Sequence, residues 1–260
     1  MATGVLPLAL GRATRLVRYL IGSDKEYDAT IAFGFTTDSF DVTGTETSRT
    51  NLEPSRPAVS AALGMLTGTY LQTPPPFSAK KIRGQRAYAL ARSRRAVELT
   101  PVPVTVSRAE LIETGEGWAR VALTCSAGFY VRTFAHRLGE IVGCGACLDA
   151  LRRTRSGPFR QEAAIPMGAL QDPGRVEASL VPMERLLPDC RAVRVNERGR
   201  EDVRHGREIT EDRYDPVNPG PAPPGRPEEP VRILDADGAL VALAAPGRAR
   251  GSLHPSVVLI

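Results

Sequence analysis

The sequence has no long apolar run and little histidine or cysteine, and these absences exclude several classes of protein. No stretch of its 260 residues approaches the ~18 consecutive apolar residues that a membrane-spanning helix needs, so we expect a soluble, cytoplasmic protein. Cys144 and Cys147 form a lone Cys-x-x-Cys pair, with no second pair to complete a zinc site, and histidine occurs only three times. We therefore expect reduced thiols, three of them simply packed, and no metal or other cofactor.

Lysine is also scarce, so arginine carries most of the positive charge. The formal net charge is +5, and the lysines are Lys25, Lys80 and Lys81. The planar guanidinium fork suits phosphate and can stack on bases. This charge balance is compatible with nucleic-acid binding but does not by itself distinguish an RNA-binding protein from an ordinary basic one.

No acid precedes Asp24, and the segment 13–21 has the pattern of an amphipathic helix. Such a helix suits either a transit peptide or an ordinary core helix whose basic side faces a polyanion, and we favour the second. The apolar and basic faces are formed by Leu16, Val17, Leu20 and Ile21, and by Arg12, Arg15 and Arg18.

Periodicity predicts alternating strands and helices in the first two thirds of the chain. Residues 27–35 alternate with a period of two and predict a half-buried strand. A helix is predicted after Ser55, its N-cap, with Gly68 placed to end it. Two further strands are predicted over 102–112 and 118–126, joined by a turn.

A basic segment separates that helix from these strands. Its proline-rich start predicts an exposed loop over residues 72–83. The loop is either a solvated excursion or an RNA contact. The second reading is favoured because the Lys80–Arg83 cluster lies between the aromatic residues Phe77 and Tyr88, which combines charge with stacking faces.

A helix is predicted to begin near Tyr130, directly after a strand. Arg132 and His136 lie off its apolar face, so Arg132 sits on the first turn of a helix at a strand end, where α/β and α+β proteins often place their sites. By pattern alone, however, a surface arginine is the commoner case. The apolar face consists of Val131, Phe134, Ala135, Leu138, Ile141 and Val142.

Taken together, five segments resemble the bacterial tRNA pseudouridine-55 synthases, the TruB family. They are "ATGVLPLALGRATRL", "KEYDATIAFGFTTDSFDVTG", "QTPPPFSAKKIRGQRAYALAR", "CSAGFYVRTFAHRLG" and "LRRTRSGPF". The resemblance covers about residues 2–188 and implies an α+β pseudouridine synthase fold, with a mixed or antiparallel sheet, flanking helices and an RNA-gripping insertion at about 72–104. Residues 189–260 resemble a PUA-like RNA-binding β domain, with a proline-rich loop at 214–230.

The resemblance also implies a chemistry and a set of residues. Members isomerise a uridine in the T loop of tRNA without a cofactor, using an aspartate nucleophile, and we expect a monomer that acts on the T arm. By motif, Tyr27 stacks on the uracil, Tyr130 contacts the substrate, Arg132 pairs with the catalytic carboxylate and Leu151 forms a pocket wall. The residues expected to bind RNA are Lys80, Lys81, Arg83, Arg152 and Arg153.

One part of the family pattern has no counterpart in the sequence. In the family, a Gly-Thr-Leu-Asp-Pro stretch carries the nucleophile, which would fall two positions ahead of Met1. The nearest acids, Asp38 and Asp41, are not expected to replace it, because the chemistry tolerates only small displacements. The chain as given is therefore expected to be an inactive synthase with a truncated N-terminus.

Three interpretations follow, in order of preference. The first is a complete synthase whose start codon has been misassigned, and the second is a non-catalytic protein that binds or remodels tRNA. The third is a decaying gene fragment that folds poorly, because a missing strand would expose a sheet edge. The guide-dependent rRNA synthases, which share the main fold, are a further alternative.

Overall fold

The computed structural model describes residues 2–77, 81–82, 85–86, 99–218 and 230–260. The chain divides into two compact units, one formed by the residues up to Pro7 with Ile21–Ala164 and the other by Leu8–Leu20 with Ile165–Ile260. Residues 165–188, which we assigned to the catalytic domain, thus pack with the C-terminal part of the chain.

The described residues form short helices and many strands. The α-helices are α1 (Val17–Ile21), α2 (Arg56–Met65), α3 (Val131–Val142), α4 (Pro173–Ser179) and α5 (Glu197–Arg204). The strands of the first unit are β1 (Ala2–Gly4), β2 (Lys25–Phe33), β3 (Phe35–Thr37), β4 (Glu46–Arg49), β5 (Gly68–Gln72), β6 (Lys81–Ile82), β7 (Gln85–Arg86), β8 (Val102–Gly115), β9 (Trp118–Cys125), β10 (Ala146–Ser156) and β11 (Phe159–Arg160). Those of the second unit are β12 (Ala192–Val195), β13 (Tyr214–Asn218), β14 (Val231–Leu234), β15 (Leu240–Pro246) and β16 (Leu253–Val258).

A mixed sheet forms the first unit. Its strand order is β1-β10-β2-β9-β8-β5, with β11 added to β10. The short β1 runs parallel to β10, and the other neighbouring strands along this order are antiparallel. Helices α2 and α3 pack with this sheet in one apolar core, so the predicted α+β class is confirmed.

The predicted strand after Glu26 and the helices after Ser55 and near Tyr130 are present, although α2 ends at Met65 and Gly68 begins β5 instead of ending the helix. Ser55 caps α2, since its side chain accepts a hydrogen bond from the amide of Ala58 at 3.3 Å. Helix α3 begins at Val131, buries the predicted apolar face and ends at Gly143, whose φ of 81° suits a glycine. Side chains from both helices meet β2 and β9 in the core, including Ile31, Leu63, Leu123, Phe134 and Leu138.

The second unit is built on a separate sheet, ordered β13-β12-β14-β15-β16. The predicted N-terminal helix belongs to this unit, but Gly11–Leu16 forms a 3-10 helix and only Val17–Ile21 is α-helical. Arg12 donates to the carbonyl of Leu259 at 2.7 Å and Arg15 donates to that of Val258 at 2.6 Å. Two arginines of the predicted basic face therefore bind the end of the chain. Within the described ranges, no helix is long and apolar enough to cross a membrane.

Candidate active site

Arg132 joins three segments of the first unit. On the first turn of α3, its Nη1 lies 3.1 Å from Asp41 Oδ2 and 3.3 Å from the carbonyl oxygen of Ser39. Its Nη2 donates to the carbonyl of Phe77 at 2.6 Å. The side chains of Arg132 and Asp41 are 25% and 21% exposed, so the ion pair is largely withdrawn from water. The guanidinium is thereby fixed by a carboxylate and two carbonyls.

The loop that carries Asp41 is held against the sheet. The amide of Val42 donates to the carbonyl of Leu148 on β10, and the amide of Leu148 donates to that of Phe40, each at 2.9 Å. Phe40 has a φ of 65°, unusual for a residue with a side chain, and its ring stacks on His136 of α3 with centroids 4.0 Å apart. This packing places Asp41 opposite Arg132.

Asp41 is kept ionised by its neighbours. Burial alone would raise the pKa of its carboxyl group. The net effect is a lowered pKa, because the hydroxyls of Thr43 and Ser39 donate to Oδ1 at 2.6 Å and 2.9 Å, the amide of Thr43 donates at 3.1 Å, and the charge of Arg132 adds to them. Oδ1 therefore accepts the hydrogen bonds from the loop, and Oδ2 accepts the hydrogen bond from Arg132.

The lowered pKa predicts how stability depends on pH. A carboxylate whose pKa is lowered by folding stabilises the protein above its unfolded pKa, near 3.8, and loses that contribution as the pH falls through the folded value. Asp41→Asn should therefore lower the free energy of unfolding by about 1–2 kcal/mol at pH 7. The difference should shrink below about pH 4 in chemical unfolding curves. The exposed carboxylate variant Asp149→Asn is the control, and an equal, pH-independent loss in both variants would contradict the assignment.

The segment that follows β5 is packed rather than exposed. Gln72 is 3% exposed, and Pro74 and Pro75 are also buried, so the predicted exposed loop over 72–83 is wrong for its first part. The physical reason is docking onto the start of α3, where Gln72 binds the backbone of Tyr130 and Thr73 accepts a hydrogen bond from Thr133. Residues 78–80 and 83–84 lie outside the described part of the chain.

Tyr27 and two of the predicted basic residues, Arg152 and Arg153, lie on two neighbouring strands. Tyr27 of β2 is paired with Arg153 of β10, and Asp28 is paired with Arg152. Tyr27 is half-buried, and burial is the main cause that raises the pKa of its hydroxyl, although Arg153 opposes the shift. Arg153 Nε also donates to the carbonyl of Val5 at 2.8 Å, which ties β10 to the residue after β1.

The predicted site residues thus lie in three places on the first unit, and two more lie outside the described ranges. Tyr130 and Arg132 lie at the start of α3, whereas Leu151 and the exposed Arg152 follow each other on β10. Leu151 is half-buried against the core and pairs with Ala2 of β1. The backbone of Lys81 pairs with that of Arg86 in the β6–β7 ribbon; Lys80 and Arg83 lie outside the described residues.

All four cysteines are packed, one more than predicted. Cys125, Cys144, Cys147 and Cys190 are all buried and are not joined in disulfides. Burial raises the pKa of Cys147 to about 11 and that of Cys125 to about 12, which disfavours a reactive thiolate. Among the residues that the structure describes, no cluster of three or more potential ligands could hold a metal ion.

Comparison with known families shows to which family the chain belongs. The model for "TruB family pseudouridylate synthase (N terminal domain)" matches residues 1–131, and that for "tRNA pseudouridylate synthase B C-terminal domain" matches residues 132–188. The chain belongs to the TruB family. The TruB resemblance of the sequence is thus confirmed, and the join between the two matched regions falls beside Arg132.

Two TruB relatives match almost the whole chain. A protein of Solibacter usitatus called tRNA pseudouridine synthase B is 37% identical over 263 residues, covering 100% of this chain and 87% of the relative. A protein of the same name from Synechococcus sp. strain WH7803 is 36% identical and covers 98% of this chain and 84% of its own length.

Solved structures show the same fold at lower identity. A Cbf5-Nop10-Gar1 complex contains a chain that is 22% identical with a TM-score of 0.71. A chain in an H/ACA RNP bound to a substrate RNA containing 2'-deoxyuridine is 21% identical, also with a TM-score of 0.71. Each match covers 100% of this chain and 73% of the other. At this identity the likeness establishes the fold.

Proposed function

We propose that this TruB protein is part of a tRNA pseudouridine synthase that acts on uridine 55 in the T loop. The observation that carries the proposal is Arg132, held on the first turn of α3 beside Tyr130 at the position where the TruB motif has its catalytic arginine. The relatives named tRNA pseudouridine synthase B supply the substrate class.

The proposed reaction is an isomerisation without a cofactor. The bond from the ribose to the uracil nitrogen breaks and a bond from the ribose to a uracil carbon forms, while a proton moves from that carbon to solvent and the nitrogen regains one. The uridine must leave its stack to be reached, and stacking on Tyr27 would offset part of that cost. Arg132 would hold an ionised carboxylate in place at the ribose.

The register of β1 supports a position for that carboxylate. Ala2 lies opposite Leu151 in a parallel pair, so a residue three positions ahead of Ala2 would lie roughly opposite Leu148. The backbone amide and carbonyl of Leu148 are already hydrogen-bonded to Phe40 and Val42. A preceding segment would therefore have to leave the sheet there, beside Asp41 and its partner Arg132. We propose that the family's aspartate nucleophile occupies this position and that the 260 residues alone are inactive.

The rest of the chain would hold the tRNA. Arg152 is exposed on β10, next to Arg153, and the basic insertion at about 72–104 would grip the RNA. Residues 189–260 would act as a PUA-like RNA-binding domain, consistent with their separate sheet. We propose a monomer that binds the T arm in the cytoplasm.

A binding measurement tests recognition separately from catalysis. The 260-residue protein should bind a T-arm stem-loop RNA at least about tenfold more tightly than a hairpin of equal length with an unrelated loop. Affinity for both RNAs should fall as salt rises, because phosphate contacts release counterions. Equal affinity for the two RNAs in fluorescence anisotropy would remove the basis for T-loop recognition.

Non-catalytic tRNA binding is the second candidate function. The Arg132–Asp41 ion pair favours it, because the guanidinium already has a carboxylate partner within the chain and the carboxylate is engaged at both oxygens. This candidate shares the binding prediction, and the formation of pseudouridine distinguishes the two.

A further inference from the structure

We propose that Gln72 is a positioning residue for the uridine pocket. It couples the root of the basic insertion, segment 72–77, to Tyr130 and Arg132. The inference rests on the proposed function, because it assigns Gln72 a role in the recognition of the target base. Gln72 itself lies at the end of β5, and its role is to hold the residues that would touch the RNA.

The side chain of Gln72 is buried, and among the described residues it is bound to Tyr130 alone. Its Oε1 accepts a hydrogen bond from the backbone amide of Tyr130 at 2.8 Å, and its Nε2 donates to the carbonyl of Tyr130 at 3.1 Å. Gln72 is 3% exposed. A carboxamide suits this place because it offers one acceptor and one donor on the same short head group.

The bound residue is the N-cap of the helix that carries Arg132. Tyr130 makes no capping bond with its own side chain within the described structure, while its carbonyl also accepts the amide of Phe134, in the first turn of α3, at 3.1 Å. Gln72 therefore fixes the backbone at the start of α3 from outside the helix. Arg132 follows two residues later, so the orientation of its side chain depends on that backbone.

The chain after Gln72 returns to the same turn. The carbonyl of Thr73 accepts the hydroxyl of Thr133 at 3.3 Å, and the carbonyl of Phe77 accepts Nη2 of Arg132. Segment 72–77 and the first turn of α3 are thus joined at three successive points. Since this segment is the root of the insertion, a displacement of the root would also move Tyr130 and Arg132.

The test compares two T-arm stem-loop RNAs, one with the target uridine and one with an abasic site in its place. The ratio of their affinities measures what the pocket contributes, whereas the affinity for the abasic RNA measures the grip on the rest of the loop. Gln72→Met keeps the length of the side chain but removes both hydrogen bonds. Gln72→Asn keeps the amide but shortens its reach. Gln171→Met, at an exposed glutamine in the second unit, is the matched control.

We expect the uridine-to-abasic ratio to fall at least about fivefold in Gln72→Met, with little change in affinity for the abasic RNA and no change in Gln171→Met. A purely structural role would lower the melting temperature and leave the ratio intact, which would overturn the proposal. If Gln72→Met does not melt cooperatively, Gln72→Asn decides by the same criterion. A wild-type protein with no preference for uridine would instead contradict the proposed function.

Discussion

Arg132→Met is expected to lower the free energy of unfolding by about 2–4 kcal/mol. The methionine keeps most of the aliphatic stem but removes the charge, leaving Asp41 as a largely buried carboxylate without a cation. The carbonyls of Ser39 and Phe77 also lose their guanidinium donor. Removing one partner of such an ion pair lowers the stability by more than the intact pair contributes to it, because water does not solvate the charge that remains.

A double-mutant cycle with Asp41→Asn separates the interaction energy of Arg132 and Asp41 from the energies of their other contacts. In the Asp41→Asn background, Arg132→Met should cost at least about 1 kcal/mol less than in the wild type, because no charge is then left unpaired. Arg137→Met is the matched control, since Arg137 lies on the same helix and pairs with Glu140 at the surface. It should cost well under 1 kcal/mol. Additive losses in urea unfolding would show that the two side chains do not interact.

The second large effect concerns pseudouridine formation. Asp41 is a poor nucleophile for three reasons: both of its oxygens are engaged, its pKa is lowered, and its loop is bonded to β10 beside Leu148. The hydrogen bonds that Asp41 makes allow it to orient Arg132 but do not leave it free to attack the ribose.

A hybrid tests whether one carboxylate is missing. When the segment that carries Gly-Thr-Leu-Asp-Pro in a TruB relative is joined ahead of Ala2, pseudouridine should form in T-arm RNA. Asn in place of the aspartate in that stretch should abolish it. In the active hybrid, Arg132→Met should reduce the rate by about 10²–10³, since an electrostatic partner of the reacting groups is lost. Retention of full activity by this variant would contradict the role of Arg132.

Much of the fold was predictable because it follows local periodicity. The alternation in β2 and the apolar face of α3 each match a single structure, and the Ser55 cap follows from backbone chemistry. The predicted helix end at Gly68 was wrong, because α2 already ends at Met65 and Gly68 begins β5. The first helix was predicted less well. Its apolar residues lie mainly in the α-helical part, Val17–Ile21, so their spacing does not report the 3-10 conformation of Gly11–Leu16. The bonds of Arg12 and Arg15 to the chain end leave no trace in local sequence.

The parts of the site that the sequence did not reveal depend on contacts between distant residues. Asp41 and Arg132 are 91 positions apart, and only the folded loop shows that they meet. Gln72 was assigned to an exposed loop because prolines follow it, whereas its amide is bound 58 positions away. The turn-rich "TTDSFDVTG" was the available signal for Asp41, since Ser and Thr flank an Asp within it.

The most direct test is to incubate T-arm stem-loop RNA with the purified 260-residue protein, digest the RNA and quantify pseudouridine by chromatography. We predict none above the level of a no-enzyme control, while the hybrid that supplies the aspartate forms it. Pseudouridine formed by the 260 residues and lost in Asp41→Asn would contradict the account, because Asp41 would then be the nucleophile.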